Sequence, residues 1–177
     1  MLSPLTALAA VISVMIALSD LYARRVPNTW LLAGLLLGSS LIITTWIRQQ
    51  GGPPWPSLLG FLIGLAAFLP IHLLGMMGAG DVKFFAVLGF LLGWKALLPI
   101  WIIASIFSGA HALTVLISRH WLSNVTSSLS MAQTWISSSS IGQRLCNARG
   151  GRKGLPYAAW LGIAALITIF NPELMHW

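Results

Sequence analysis

Apolar residues fill this 177-residue chain in long runs, and polar residues gather in the gaps between them. A helix that crosses a hydrocarbon layer needs about 20 mostly apolar residues. Leu2 to Leu18 is the first such run and ends at Ser19-Asp20. No Lys or Arg precedes it, so it lacks the basic start of a cleaved signal peptide and reads as a retained span. Arg24 and Arg25 follow, then Val26-Pro27-Asn28. Thr29 to Ile47 forms the second run, with Asn28 or Thr29 as its expected N-cap. A turn-rich connector, Arg48 to Pro56, lies between Trp46 and Ser57 and carries Trp55, as at a membrane interface. The third run, from about Ser57 to Leu74, leads into Gly75-Met76-Met77-Gly78-Ala79-Gly80-Asp81. Phe84 to Ser118 is too long for one ordinary crossing. Gly93, Lys95 and Pro99 offer a break, giving a short fourth span to about Trp94 and a fifth from about Ala96. Leu155 to Phe170 is the sixth. The pattern predicts an all-α polytopic membrane protein with about six transmembrane helices in one domain over 1–177.

Composition sharpens this reading. Charged residues make up 7% of the chain, where soluble domains carry about 25%. So few charges cannot cover a soluble surface, which excludes a soluble enzyme, a disordered chain and a disulfide scaffold. The single cysteine, Cys146, excludes a CxxC redox pair or a four-cysteine zinc site within the chain. A net charge of +7 would suit nucleic acid, but the basic residues sit between apolar runs, so no nucleic-acid partner is expected. With the 1–2, 3–4 and 5–6 loops on the cytoplasmic side, that side holds eight of the ten Lys and Arg. Both termini then lie outside. The 119–154 stretch is the one long polar segment, read either as a surface helix or as a loosely ordered cytoplasmic loop.

Ionisable residues in or beside a membrane span are costly and are functional candidates by default. This chain has two aspartates, Asp20 and Asp81, and both fall at same-side ends of predicted spans. A lone Asp at a helix end is usually a cap or an interfacial residue. Scarcity argues for more here, since the one other acid is Glu173 near the far end. Two carboxyls brought within a few ångströms cannot both ionise easily, so the pair shares a proton and holds an acid and a base together. Gly78 and Gly80 before Asp81 give backbone freedom and leave room for a substrate strand. Lys83 is expected about 200° round a helix from Asp81, and it reads, like Arg24 and Arg25, as positive-inside retention. Gly34/Gly38, Gly60/Gly64 and Gly89/Gly93 each fit GxxxG and are read as helix-packing positions. His72, His111, His120 and His176 lack metal-ligand spacing, so neither a metal nor another cofactor is expected. Ser108 and His111 sit in one predicted helix without a nucleophile context and read as packing.

Asp20 with Arg24-Arg25-Val26-Pro27-Asn28, then Met77-Gly78-Ala79-Gly80-Asp81-Val82-Lys83, resembles the two signature segments of the type IV prepilin peptidases, the GxGD membrane aspartic proteases. Lys153-Gly154-Leu155-Pro156-Tyr157-Ala158 resembles their third segment, in which a Pro-Tyr opens the last helix. The resemblance maps Asp20 and Asp81 onto the catalytic pair. It leaves Gly78, Gly80, Lys83, Arg24, Arg25, Pro27, Asn28, Pro156 and Tyr157 as supporting positions. It implies removal of a basic leader from a prepilin or pseudopilin at the cytoplasmic edge of the inner membrane, just before the substrate's hydrophobic helix. Long bacterial members add a region with paired CxxC motifs and methylate the new N-terminus. This sequence has neither that region nor the paired CxxC cysteines, so its form resembles the enzymes of tight-adherence (Flp) pili or the archaeal preflagellin enzymes, and methyl transfer is not expected. Two other readings stand beside this one: a small transporter or channel in which the two Asp bind a cation or relay protons, and a non-catalytic assembly factor.

Overall fold

A computed structural model describes residues 3–48, 54–122 and 156–175, and the reading of 119–154 falls mostly outside them. The described chain is helical: α1 (Pro4–Ala23), α2 (Asn28–Ile47), α3 (Trp55–Leu73), α4 (Ala79–Leu92), α5 (Trp94–Leu122) and α6 (Tyr157–Phe170), followed by a 3-10 turn at Pro172–Met175. α1, α2, α3 and the Trp94–Ser118 part of α5 are long and apolar enough to cross a membrane. α4 and α6 have 14 residues each, roughly 21 Å of helix against a hydrocarbon core of about 30 Å. These two are the interior of the protein. α4 buries Val82 and every residue from Phe84 to Leu91, the expected state of a helix that is apolar all round. α1, α2, α3 and α5 pack around them and turn leucines such as Leu36, Leu62 and Leu116 outward.

Local chemistry sets the helix ends. Ser3 Oγ accepts from Thr6 N–H at 3.2 Å, and Pro4 occupies the first turn of α1, where its missing N–H costs nothing. α1 continues past the expected end at Leu18 to Ala23, so Asp20 lies inside its last turn. Arg24 closes the helix in the left-handed conformation, φ 52°, with its N–H on the Asp20 carbonyl. Neither Asn28 nor Thr29 caps α2: Pro27 holds the cap position and no side chain bonds there. The break in the long 84–118 segment falls at Gly93, whose φ of 86° suits glycine and ends α4. Pro99 lies within α5 and does not interrupt it.

The tightest packing uses the flagged glycines. A Cβ on Gly64 would stand 3.0 Å from Ala86 Cα, and one on Gly60 would strike the Gly89 carbonyl, so α3 and α4 touch backbone to backbone. Gly34 receives Ile12 and Val87, and Gly38 receives Leu91 and Phe90, which seats α2 on α1 and α4. Gly89/Gly93 is not a packing pair: Gly89 packs, and Gly93 terminates the helix. Gly162 of α6 lies against Ser13 and Ala17 of α1. Phe68 and Phe85 stack with ring centres 4.1 Å apart and fix α3 against α4 near the start of the latter.

Candidate active site

The connections α1–α2 and α3–α4 and the start of α6 converge at one end of the bundle. There a cleft of about 890 Å³ is lined by Asp20, the 24–28 segment, the 78–81 segment and Lys83. Two aspartates 61 positions apart in sequence (20 to 81) therefore face one space.

Each carboxylate is held by a helix N-terminus. Asp20 is buried, 7% exposed, and its Oδ2 accepts the Ala159 N–H at 3.0 Å. α6 opens on Pro156, which has no side-chain oxygen to cap it, so the first N–H groups of the helix are orphans. The carboxylate of another helix supplies the missing acceptor. Asp81 caps its own helix. It is the third residue of α4 after the cap Gly78, and its carboxylate accepts the Gly78 N–H, the reach-back half of a capping box. Gly78 is extended, φ −69°, so its place is not a matter of positive φ. That freedom is used at Gly75, φ 74°, where the chain leaves α3. Beneath this turn, His72 Nδ1 pairs with the Met77 carbonyl oxygen at 2.8 Å.

Gly80 is required for space. A Cβ there would stand 2.9 Å from Val26 Cβ, so its bare backbone lets the 24–27 segment close over α4. Gly80→Ala would push Val26 and its neighbours off α4 by a few tenths of an ångström. The expected result is a roughly tenfold drop in turnover with little change in thermal stability, read by an activity assay beside a melting curve.

Lys83 does not stand apart from the cleft. Helical geometry sets it about 200° round α4 from Asp81, but its long side chain lines the cleft and donates from Nζ to Asn28 Oδ1 at 3.4 Å. This also accounts for Asn28, whose side chain ties α2 to α4 and does not cap α2. Nine of the eleven residues marked in the sequence line the cleft: Asp20, Arg24, Arg25, Pro27, Asn28, Gly78, Gly80, Asp81 and Lys83. Pro156 and Tyr157 do not. Tyr157 packs on Phe68 at 6.2 Å and bonds the Ser105 side chain, which anchors the start of α6 against α3 and α5. Ala159, whose N–H holds Asp20, is the cleft partner that the sequence does not single out. The one signal for it was a Pro where a capping Ser, Thr, Asp or Asn would normally stand. His111 lies against the Trp160 ring at 5.6 Å, a packing contact.

Asp81 sits ahead of the apolar body of α4. Burial, and after it the nearby Asp20 charge, push its carboxyl up to about 7 against the opposing Gly78 N–H. Near neutral pH the Asp81 carboxyl therefore still carries a proton for a large part of the time beside a second carboxyl group, with Arg24 close enough to interact electrostatically with Asp20.

Residues 7–113 match the family model described as the type IV leader peptidase family. The matched stretch contains both aspartates and every residue that lines the cleft, and α6 lies beyond it. The chain matches no curated protein and no solved structure.

Proposed function

The chain belongs to the type IV leader peptidase family, and on that premise we propose that it is an aspartic endopeptidase whose Asp20–Asp81 pair hydrolyses the leader bond of a prepilin-like substrate. The observation that carries this reading is the shared cleft, in which the charge of one aspartate raises the pKa of the other. A pair holding a single proton supplies both halves of amide hydrolysis. Asp20 takes a proton from a water molecule as its oxygen attacks the scissile carbonyl carbon. Asp81 gives its proton to the carbonyl oxygen, so no unprotected oxyanion forms. Collapse of the tetrahedral intermediate returns a proton to the departing amine and releases the leader carboxylate and the mature N-terminus. The Ala159 and Ala158 N–H groups hold the Asp20 carboxylate in place at the start of α6. Gly78 N–H holds Asp81 in the same manner.

In this reading the cleft opens at the cytoplasmic face of the inner membrane. The basic residues of the 1–2 and 3–4 connections, Arg24, Arg25 and Lys83, gather at its mouth, as positive-inside orientation requires. A tight-adherence (Flp) prepilin is the substrate to try first, and no methyl transfer is part of the proposal. The test is co-expression with such a prepilin, with the N-terminus of the product read by mass spectrometry. Cleavage between the basic leader and the apolar helix is expected, and a prepilin left intact would overturn the reading.

The shared proton also fixes the pH dependence. Above about 7 Asp81 loses the proton that it must donate, and at low pH both carboxyls are protonated and no base remains. Cleavage by the purified enzyme should trace a bell with its alkaline limb near pH 7. A rate that is flat from acid to alkaline pH would exclude this division of labour.

A further inference from the structure

The catalytic cleft borders a second cavity of different chemistry. This second space, about 510 Å³, lies along α2, α3 and α4 and shares Asn28 and Lys83 with the cleft. Its remaining lining is almost wholly apolar, including Leu32 and Leu35 of α2, Phe61 and Leu65 of α3, and Val87 of α4. α2 and α3 each pack on α4, with Gly34 and Gly38 on one side and Gly60 and Gly64 on the other, so α4 forms the floor of a furrow between two walls.

We infer that this furrow is the docking site for the apolar helix that directly follows the cleaved bond in the substrate, an inference that rests on the leader-peptidase reading above. Three observations select that occupant. First, the furrow adjoins the cleft at the Lys83–Asn28 contact, so a chain held at the two aspartates reaches it by passing that one pair. From Asn28 to Leu35 is seven residues of α2, roughly 10 Å of axis, or about two turns of a docked helix. Second, no acid lines the furrow and Lys83 stands at its mouth, so the basic leader is excluded and the apolar side of the substrate is admitted. Third, the walls are helices whose backbone groups are already paired. Beyond Asn28, Thr29 and Lys83, a substrate segment lying there meets an apolar lining and must keep its own helical hydrogen bonds. It can open only in the polar cleft, where the scissile bond has to be extended.

The test uses two synthetic probes. The long probe joins a Lys/Arg-rich leader to an apolar helix of about 20 residues, and the short probe stops a few residues after the cleavage site. Leu35→Trp fills the furrow, whereas Leu36→Trp, on a residue 63% exposed and outside the lining, adds the same bulk elsewhere. Leu35→Trp should raise KM for the long probe by at least about tenfold and leave the short probe's kcat/KM unchanged. Leu36→Trp should alter neither. Loss on both probes alike, or no change with the long probe, would overturn the inference. A photo-crosslinker on the furrow rim at position 32, carried by the Asp81→Asn protein, should capture the long probe, and the same group at position 36 should not. Capture of lipid alone at position 32 overturns the docking site. If the native enzyme cleaves neither probe yet position 32 captures the long one, the peptidase reading fails and the furrow stands. Cleavage of both probes with no Leu35→Trp effect and no capture gives the reverse result.

Discussion

Asp20→Asn and Asp81→Asn should each yield an inserted, folded protein that has lost leader cleavage by at least about three orders of magnitude. The amide is the right replacement because each carboxylate also does structural work. An Asn oxygen at position 20 still accepts the Ala159 N–H, and one at position 81 still accepts the Gly78 N–H. What disappears is the exchangeable proton, and with it the acid–base pair. Because the two groups act as a unit, the double variant should be no slower than either single one. Stability should move in the opposite direction for Asp81. Its folded pKa of about 7 lies above the ordinary 3.8, so the folded state binds the extra proton and wild-type stability falls as pH rises from 3.8 towards 7. Asn does not titrate. Asp81→Asn should therefore melt above the wild type at pH 8, with the gap narrowing at pH 5. Melting curves at both pH values, run beside the cleavage assay, separate loss of chemistry from loss of fold. An active Asp81→Asn enzyme would remove Asp81 from the mechanism.

Much of this arrangement was legible in the chain, and what was hidden shares one physical cause. The helices and the break at Gly93 follow from the lengths of the apolar runs and the punctuation between them. The aspartates stand out because so few acids exist. The failures are long-range. The sequence ends the first span at Ser19-Asp20, because a carboxylate is costly among apolar residues. The cost is met by an N–H 139 residues away, so the helix runs on to Ala23. Asn28 looked like a cap, but its side chain meets Lys83 from another helix. Helical projection put Lys83 on the far side of α4 from Asp81, which is right for Cβ and wrong for a flexible four-carbon arm. The sequence reads Gly80 as backbone freedom and room for a substrate strand, whereas the structure uses its bare backbone to let Val26 close in. No local pattern distinguishes a glycine kept for its φ from one kept for its missing side chain.

That last distinction yields the largest structural effect. Gly60→Leu should leave no stably folded protein, whereas Gly109→Leu should be nearly silent. A Cβ at position 60 would overlap the Gly89 carbonyl oxygen, stand 2.7 Å from its carbon and 3.0 Å from Trp94 N. All of these are backbone atoms, so no rotamer change relieves the collision and α3 must lift off α4. Overpacking against movable side chains costs about 1–3 kcal/mol. Here the fixed partners put the penalty above that range, against a total stability of roughly 5–15 kcal/mol. Gly109 has nothing within 4 Å of the added carbon and lies on the exposed face of α5. The same displacement would reach the chemistry, because α4 carries Asp81 and is aligned by α3 through the Phe68–Phe85 stack. Size-exclusion profiles after stepwise heating in detergent should show Gly60→Leu aggregating well below the wild type and inactive in the cleavage assay. If it were as stable and active as Gly109→Leu, the close α3–α4 contact would not be what sets the position of Asp81.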